Sequence, residues 1–190
     1  MTSKAIAAFE ERLAKEVPAD RVFIDEPMRE HTTFAVGGPA DVLVLPRSVK
    51  ELSLAIRAAR ALHIPLTVLG GGSNVLVLDG GIRGVVIQLN DMKRVLSCHD
   101  DRIHAASGYM LADVCRFARD NSLTGAEFAC GIPGSVGGAC FMNAGAYDGC
   151  IADVLKSVRV LLADGTFATL DASELDLGYR HSRIADEGMI

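Results

Sequence analysis

Residues 69–74 read LGGGSN, and residues 131–138 read GIPGSVGG, which runs on into MNAGAY at residues 142–147. Each glycine-rich segment lies beside an apolar, strand-like run. Glycine permits backbone turns through positive φ and lets a ligand approach the main chain closely. Successive N–H groups in such turns form anion-binding concavities without any lysine. The two segments therefore predict a cradle for a phosphorylated cofactor.

The composition limits the classes of protein to which the chain can belong. Its 190 residues, 49% of them hydrophobic, suffice for one domain or two small ones with a real core. The apolar runs are too short to span a bilayer, and the charged amino terminus is unlike a signal peptide, so we expect a cytoplasmic protein without a membrane partner. A net charge of −5, no basic block and no tryptophan argue against a nucleic-acid partner.

Cysteine and histidine give no support to a disulfide framework or a metal site. The five cysteines are odd in number and form no C-x-x-C pair, so buried reduced thiols are expected. The five histidines show neither H-x-x-x-H nor H-E-x-x-H spacing. We therefore expect no metal.

Hydrophobic periodicity predicts helices and strands in the first half of the chain. An amphipathic helix is predicted over 3–17. A second helix begins with a capping box, Ser48 at the N-cap and Glu51 at N3, and ends near residue 63. Apolar runs predict strands at 41–46, 66–69, 75–78 and 84–89.

The second half predicts another mixture of strands and helices. A strand is expected at 103–106, a helix at 109–121, and a hairpin with its turn at Asp164-Gly165. These elements suggest an amino-terminal helix and two α+β lobes. The boundaries that we assign are 1–20, 21–84 and 85–190.

Neither glycine segment fits the common phosphate-binding motifs. G-x-x-x-x-G-K-[ST] is absent, and no lysine stands at the required place, which excludes a P-loop. LGGGSN is followed by a strand-like run instead of the helix that a Rossmann site needs. Backbone N–H groups and the side chains of Ser73 and Asn74 are then left to hold the phosphates.

Four motifs, in this order, carry a family resemblance: TTF with VGG at 32–38, LGGGSN, GIPGSVGG with MNAGAY, and GYRHS at 178–182. From about residue 20 to the end, the chain resembles the UDP-N-acetylenolpyruvoylglucosamine reductase family. That family belongs to the vanillyl-alcohol-oxidase-like (PCMH-type) flavoprotein superfamily. The resemblance implies an α+β fold of PCMH type, with FAD bound between two α+β lobes.

The resemblance also implies an activity. Members of the family are bacterial enzymes of peptidoglycan precursor synthesis in the cytoplasm, with UDP-sugar and NADPH as their partners. NADPH reduces FAD, which then reduces the enolpyruvyl group of the UDP-sugar to give UDP-N-acetylmuramate. The oligomeric state stays open.

Site residues follow from the resemblance position by position. Arg180 is the expected catalytic residue, because an arginine fork stabilises the charge that builds up on the substrate carboxylate. Tyr179 is expected at the substrate. The expected FAD-binding residues are Gly70, Gly71, Gly72, Ser73, Asn74, Gly131, Ile132, Pro133, Gly134, Ser135, Gly137, Gly138, Asn143, Ala144 and Gly145.

Simpler interpretations compete with these assignments. The first segment could be a tight turn, some glycines of the second could serve close packing, and Arg180 could be an ordinary surface arginine. Ser182 is expected to be structural.

The chain also departs from the family. Complete members are longer, and their carboxy-terminal substrate domain supplies a proton-donating serine and an assisting glutamate. That domain is absent here, so we expect a chain that is inactive alone. A non-catalytic FAD-binding module and another oxidase of the superfamily remain alternatives.

Overall fold

The computed structural model describes residues 2–92, 95–162 and 165–190. The chain divides into two compact units, Met1–Met92 and Lys93–Ile190. The boundary assigned from the sequence, at 84/85, falls inside a strand that pairs on both sides within the first unit. Because that strand cannot leave the sheet, the division lies after it. No helix in the described part of the chain has both the length and the apolar character needed to cross a membrane.

The first unit is a four-stranded sheet with two helices. Its elements are α1 (Ser3–Leu13), β1 (Val22–Pro27), β2 (Pro39–Val44), α2 (Val49–Ala61), β3 (Leu66–Leu69) and β4 (Ile82–Gln88). The strand order is β1-β2-β4-β3, with β1 antiparallel to β2 and the other pairs parallel. The two central strands are mostly buried and carry apolar runs, Val42–Val44 and Val85–Ile87, as expected of strands covered on both faces.

The predicted capping box at the start of α2 is half correct. Ser48 is the N-cap, and its Oγ accepts a hydrogen bond from the Glu51 N–H at 3.2 Å. The Glu51 carboxylate, however, accepts from the Arg47 N–H and from Arg21 Nη1, both at 2.7 Å. Glu51 therefore joins the helix start to the residue before the cap and to Arg21, far back in the chain.

The strand predicted over 75–78 is wrong. The segment lies outside the sheet, and the Leu78 carbonyl accepts from the N–H groups of Gly38 and Gly81. Val77 is buried, whereas Leu76 and Leu78 are 63% and 72% exposed. Four consecutive apolar residues resemble a buried strand in the sequence, although of the four only Val75 and Val77 pack against the core of the first unit.

The second unit contains short hairpins and helices around a separate core. Its elements are β5 (Leu96–His99), β6 (Arg102–Ala105), α3 (Leu111–Asp120), α4 (Val136–Phe141), β7 (Gly145–Ala146), β8 (Gly149–Cys150), α5 (Ile151–Val154), β9 (Ser157–Leu161), β10 (Phe167–Asp171) and α6 (Arg183–Asp186). The expected strand at 103–106 and helix at 109–121 are confirmed as β6 and α3. The predicted hairpin is confirmed by the antiparallel pairing of β9 with β10, while Asp164 of its turn lies outside the described residues.

The second glycine segment ends in a helix, for which no element was predicted. Ser135 is the N-cap of α4, and its Oγ accepts from the Gly138 N–H at 3.3 Å. Glycine lowers helix propensity, so the sequence pattern of 136–138 does not indicate a helix. The cap and the packing of Ala139 and Cys140 into the core support it.

The five cysteines are free thiols with different surroundings, which predicts selective reactivity. Burial raises the pKa of Cys140 from 9.0 to about 12. Burial and a hydrogen bond with Cys130 raise the pKa of Cys115 to about 11. A raised pKa keeps the thiol neutral as the pH rises, and only the thiolate reacts.

We expect iodoacetamide at pH 8 to label exposed Cys130 in the folded protein, while Cys140 reacts at least about 100-fold more slowly. Peptide mass spectrometry over time measures both rates, and the unfolded chain serves as the control. Equal rates in the folded protein would contradict the burial of Cys140.

Candidate functional site

The first glycine loop, residues 70–74, follows β3 and packs tightly against residues 31–33. Gly72 is buried with φ +68°, and a Cβ on it would lie 2.1 Å from the carbonyl oxygen of His31 and 3.0 Å from Thr32 Cα. The Gly72 carbonyl accepts from the Thr33 N–H at 3.1 Å. The loop thus has its shape because no side chain fits at position 72.

A network of polar side chains, which the sequence did not predict, hydrogen-bonds to this loop. Gln88 is buried in β4, and its Nε2 donates to the carbonyl oxygens of Gly70 at 3.3 Å and His31 at 3.4 Å. Its Oε1 lies 2.9 Å from His31 Nδ1, and His31 Nε2 lies 2.9 Å from a carboxylate oxygen of Glu26. The only sequence signal was a glutamine inside an apolar strand.

The loop also carries backbone donors. Within residues 2–92, 95–162 and 165–190, the N–H groups of Gly71, Gly72 and Asn74 have no hydrogen-bond acceptor. A shallow cleft beside Gly71 also contains Asn90, whose Oδ1 is buried without a hydrogen-bond partner among those residues. Neighbouring main-chain donors without protein acceptors suit an anion such as a phosphate.

The second glycine segment uses its N–H groups differently. The N–H groups of Val136 and Gly137 donate to the carbonyls of Tyr109 at 2.8 Å and Ser107 at 2.9 Å, and the Gly134 carbonyl accepts from the Leu111 N–H at 2.9 Å. Together with the Gly138 bond to the N-cap, these contacts occupy the donors at 136–138. They are structural bonds and not an open anion cradle.

Close packing explains part of this segment. A Cβ on Gly137 would lie 2.8 Å from Ser107 Cβ, and Gly134 has φ +135°. Ser135 is fully buried, and Ile132 packs against the core of the second unit. Gly131 and Pro133 are exposed, so they are the residues of this segment that a ligand can reach directly.

Asn143, Ala144 and Gly145 lie just after α4, in a closely packed segment. Asn143 Nδ2 donates to the Gly178 carbonyl, and its Oδ1 accepts from the Ala152 N–H, both at 2.9 Å. Ala144 is buried, and a Cβ on Gly145 would lie 2.7 Å from the Gly149 carbonyl oxygen. Packing and internal hydrogen bonds therefore account for all three residue types.

Tyr179 and Arg180 form the tip of a tight turn. Gly178 and His181 exchange N–H···O=C bonds of 3.2 and 3.3 Å across it. Tyr179 is 95% exposed, and Arg180 has φ +55° with its Nη1 3.7 Å from the Met142 sulfur. No carboxylate in the described part of the chain pairs with Arg180. The guanidinium is therefore available to an external anion.

Ser182, next to the turn, has a structural task. It is fully buried, its hydroxyl donates to the Phe141 carbonyl, and its Oγ accepts from the Ala185 N–H at the start of α6. The structure thus brings Arg180 together with the segment 141–143 inside the second unit. The loop 70–74 belongs to the first unit.

Comparisons with known proteins agree on the fold. A family model described as "FAD binding domain" matches residues 40–171. A crystal structure of UDP-N-acetylenolpyruvylglucosamine reductase (MurB) from Thermus caldophilus has a TM-score of 0.72 at 36% identity, over 89% of this chain and 58% of the other. P-cresol methylhydroxylase has a TM-score of 0.69 at 14% identity, over 98% and 41%. The expected α+β fold of PCMH type is confirmed.

Curated relatives are similar in sequence. The UDP-N-acetylenolpyruvoylglucosamine reductase of Clostridium perfringens strain 13 is 47% identical over 169 residues, which is 89% of this chain and 55% of the relative. That of Clostridium botulinum strain Hall is 50% identical over 168 residues, 87% of this chain and 54% of the relative. The chain spans about half the length of these relatives.

Proposed function

This chain belongs to the FAD-binding domain family, and from that premise we propose that it is the FAD-binding part of a UDP-N-acetylenolpyruvoylglucosamine reductase. The observation that carries the proposal is its 47–50% identity with such reductases over about nine-tenths of its length. The reaction would use NADPH to reduce the enolpyruvyl group and give UDP-N-acetylmuramate, a peptidoglycan precursor, in the cytoplasm.

The first glycine loop fits the diphosphate of FAD. Its N–H groups at Gly71, Gly72 and Asn74 lack protein acceptors among the described residues, and the absence of a side chain at Gly72 keeps the backbone close and rigid. We assign Gly70 to Asn74 to the diphosphate on this basis. In the second unit, exposed Gly131 and Pro133 would contact FAD directly, while Gly134 to Gly138 would shape the backbone around it.

Arg180 would bind the substrate carboxylate. When bound, FAD supplies hydride transfer from NADPH to the enolpyruvyl carbon. The electron density that this addition places on the carboxylate requires a fixed positive charge, and arginine offers two parallel N–H donors in the geometry of a carboxylate. The absence of an internal carboxylate partner for Arg180 in the described chain supports this role.

Tyr179 would contribute to binding of the UDP-sugar. Its ring is almost fully exposed at the tip of the turn, next to Arg180. An exposed aromatic side chain offers a large contact area at a small cost in conformational entropy.

Two measurements test the proposal. Titration of the purified chain with FAD, followed by the visible absorption of the flavin, should reach saturation at one FAD per chain. The part of the Clostridium botulinum relative that this chain does not match, added as a separate polypeptide to give a complemented reductase, should then produce NADPH oxidation that depends on the enolpyruvyl substrate. A folded chain that binds no FAD contradicts the whole proposal. FAD binding without substrate-dependent oxidation contradicts the reductase activity alone.

A further inference from the structure

We propose that Asn143 is a positioning residue that holds the turn carrying Arg180, and that its side chain acts through this turn and not on the flavin. The inference rests on the proposed function, because the carboxylate that Arg180 binds is identified there. It changes the assignment of Asn143 from a cofactor-binding to a positioning residue.

The Asn143 side chain links two segments that are distant in sequence. Its Nδ2 donates to the Gly178 carbonyl and its Oδ1 accepts from the Ala152 N–H, each at 2.9 Å. Donation at one end and acceptance at the other determine which way the amide faces. The residue is 8% exposed and has φ +44°, a conformation that asparagine tolerates better than most residues.

The turn depends on this link because its tip has little packing of its own. Tyr179 is exposed, and Arg180 is held at φ +55°, where a non-glycine residue is uncommon. Three side-chain contacts tie the turn to the segment 141–143: the Asn143 bond to Gly178, the Ser182 bond to Phe141, and the Arg180 contact with Met142. Of these, the Asn143 bond alone reaches the residue that opens the turn.

Positioning matters because a bidentate arginine must face its carboxylate at a defined angle. A displacement of about 1 Å at a reacting group can lower the rate about 100-fold. If the Gly178 carbonyl is released, the turn relaxes and the Arg180 guanidinium loses its orientation. Nothing in this chain of effects requires contact between Asn143 and FAD.

Two variants separate the contributions of this side chain. Asn143→Gly removes both hydrogen bonds and accepts φ +44° without strain. Asn143→Asp keeps an acceptor for the Ala152 N–H but has no donor for Gly178, so it tests the turn contact alone if the glycine variant fails to fold. Asn121→Gly is the matched control, because it removes another asparagine-to-carbonyl bond, to Phe117, at the end of α3.

The first readout is amide hydrogen exchange by NMR in the 190-residue chain. The amides of Gly178 and His181 are protected by the turn itself. We expect both to exchange at least about 10-fold faster in N143G and in N143D, and at the wild-type rate in N121G. Unchanged exchange in both Asn143 variants would overturn the inference, whatever the activity of the protein.

The second readout is a double-mutant cycle in the complemented reductase. N143G should lower kcat about 10- to 100-fold with unchanged FAD affinity, and should lower it less than about 2-fold further in an R180A background. An equal loss in both backgrounds, or a weaker affinity for FAD, would show that Asn143 acts on the cofactor and overturn the inference. If the wild-type mixture turns over no substrate, the proposed function fails, and the exchange rates still decide whether Asn143 holds the turn.

Discussion

Replacement of Gly72 by alanine is expected to abolish FAD binding and to lower the free energy of unfolding of the first unit by about 3 kcal/mol. The added Cβ would lie 2.1 Å from the His31 carbonyl oxygen, and the residue would have to keep φ +68°. Because that oxygen belongs to the backbone, no flexible side chain can move away to make room. The loop must shift, and the N–H groups of Gly71, Gly72 and Asn74 move with it.

Gly80→Ala is the matched control for Gly72→Ala. Gly80 lies in the same unit, and a Cβ there would meet no atom within 4 Å. We expect its unfolding free energy to stay within about 0.5 kcal/mol of the wild type, with unchanged FAD affinity. Urea denaturation followed by circular dichroism, together with FAD titration, measures both quantities. A G72A chain as stable as G80A that still binds FAD would contradict the assignment of this loop.

Replacement of Arg180 by alanine is expected to lower turnover of the complemented reductase about 10²- to 10³-fold while the chain keeps its FAD. The guanidinium has the charge and the planar donors to hold the substrate carboxylate, and within the protein it contacts the Met142 sulfur. Loss of the side chain should therefore remove stabilisation of the developing charge without disturbing a packed core.

Two further variants make this test specific. Arg180→Lys keeps the charge but loses the planar fork, so we expect an activity between those of R180A and the wild type. Arg116→Ala removes an exposed arginine of α3, paired with Asp113, and should change turnover less than about 2-fold. Initial rates of NADPH oxidation measure activity, and flavin absorbance measures occupancy. Loss of FAD together with activity in R180A would make Arg180 a structural residue.

The elements that sequence patterns predicted well are those whose formation depends on local signals. The predicted strand at 66–69 matches β3 in both bounds, and α2 begins after the predicted cap at Ser48. A helix cap involves neighbours three residues apart, and a short apolar run needs only a sheet to join. The resemblance, carried by four motifs in order, led to the FAD-binding family that the comparisons show.

The elements that sequence patterns did not predict depend on distant partners. Residues 75–78 are all apolar, like a buried strand, but they lie outside the sheet, where the Leu78 carbonyl accepts from the N–H groups of Gly38 and Gly81. Residues 136–138 are poor helix formers, yet they begin α4 because Ser135 caps it and the core holds its far end. In each case, contacts across the fold outweigh local propensity.

The sequence by itself determined the family, the cofactor class and the residue types of the two glycine segments, because the glycine patterns and the Tyr-Arg pair of the GYRHS motif are visible without coordinates. Only the tertiary structure showed that the segment 70–74 has N–H groups without acceptors in the described chain, whereas those of 136–138 are bonded within the protein. It also linked Asn143 to Gly178. Such hydrogen bonds join groups far apart in the chain, so no local pattern records them.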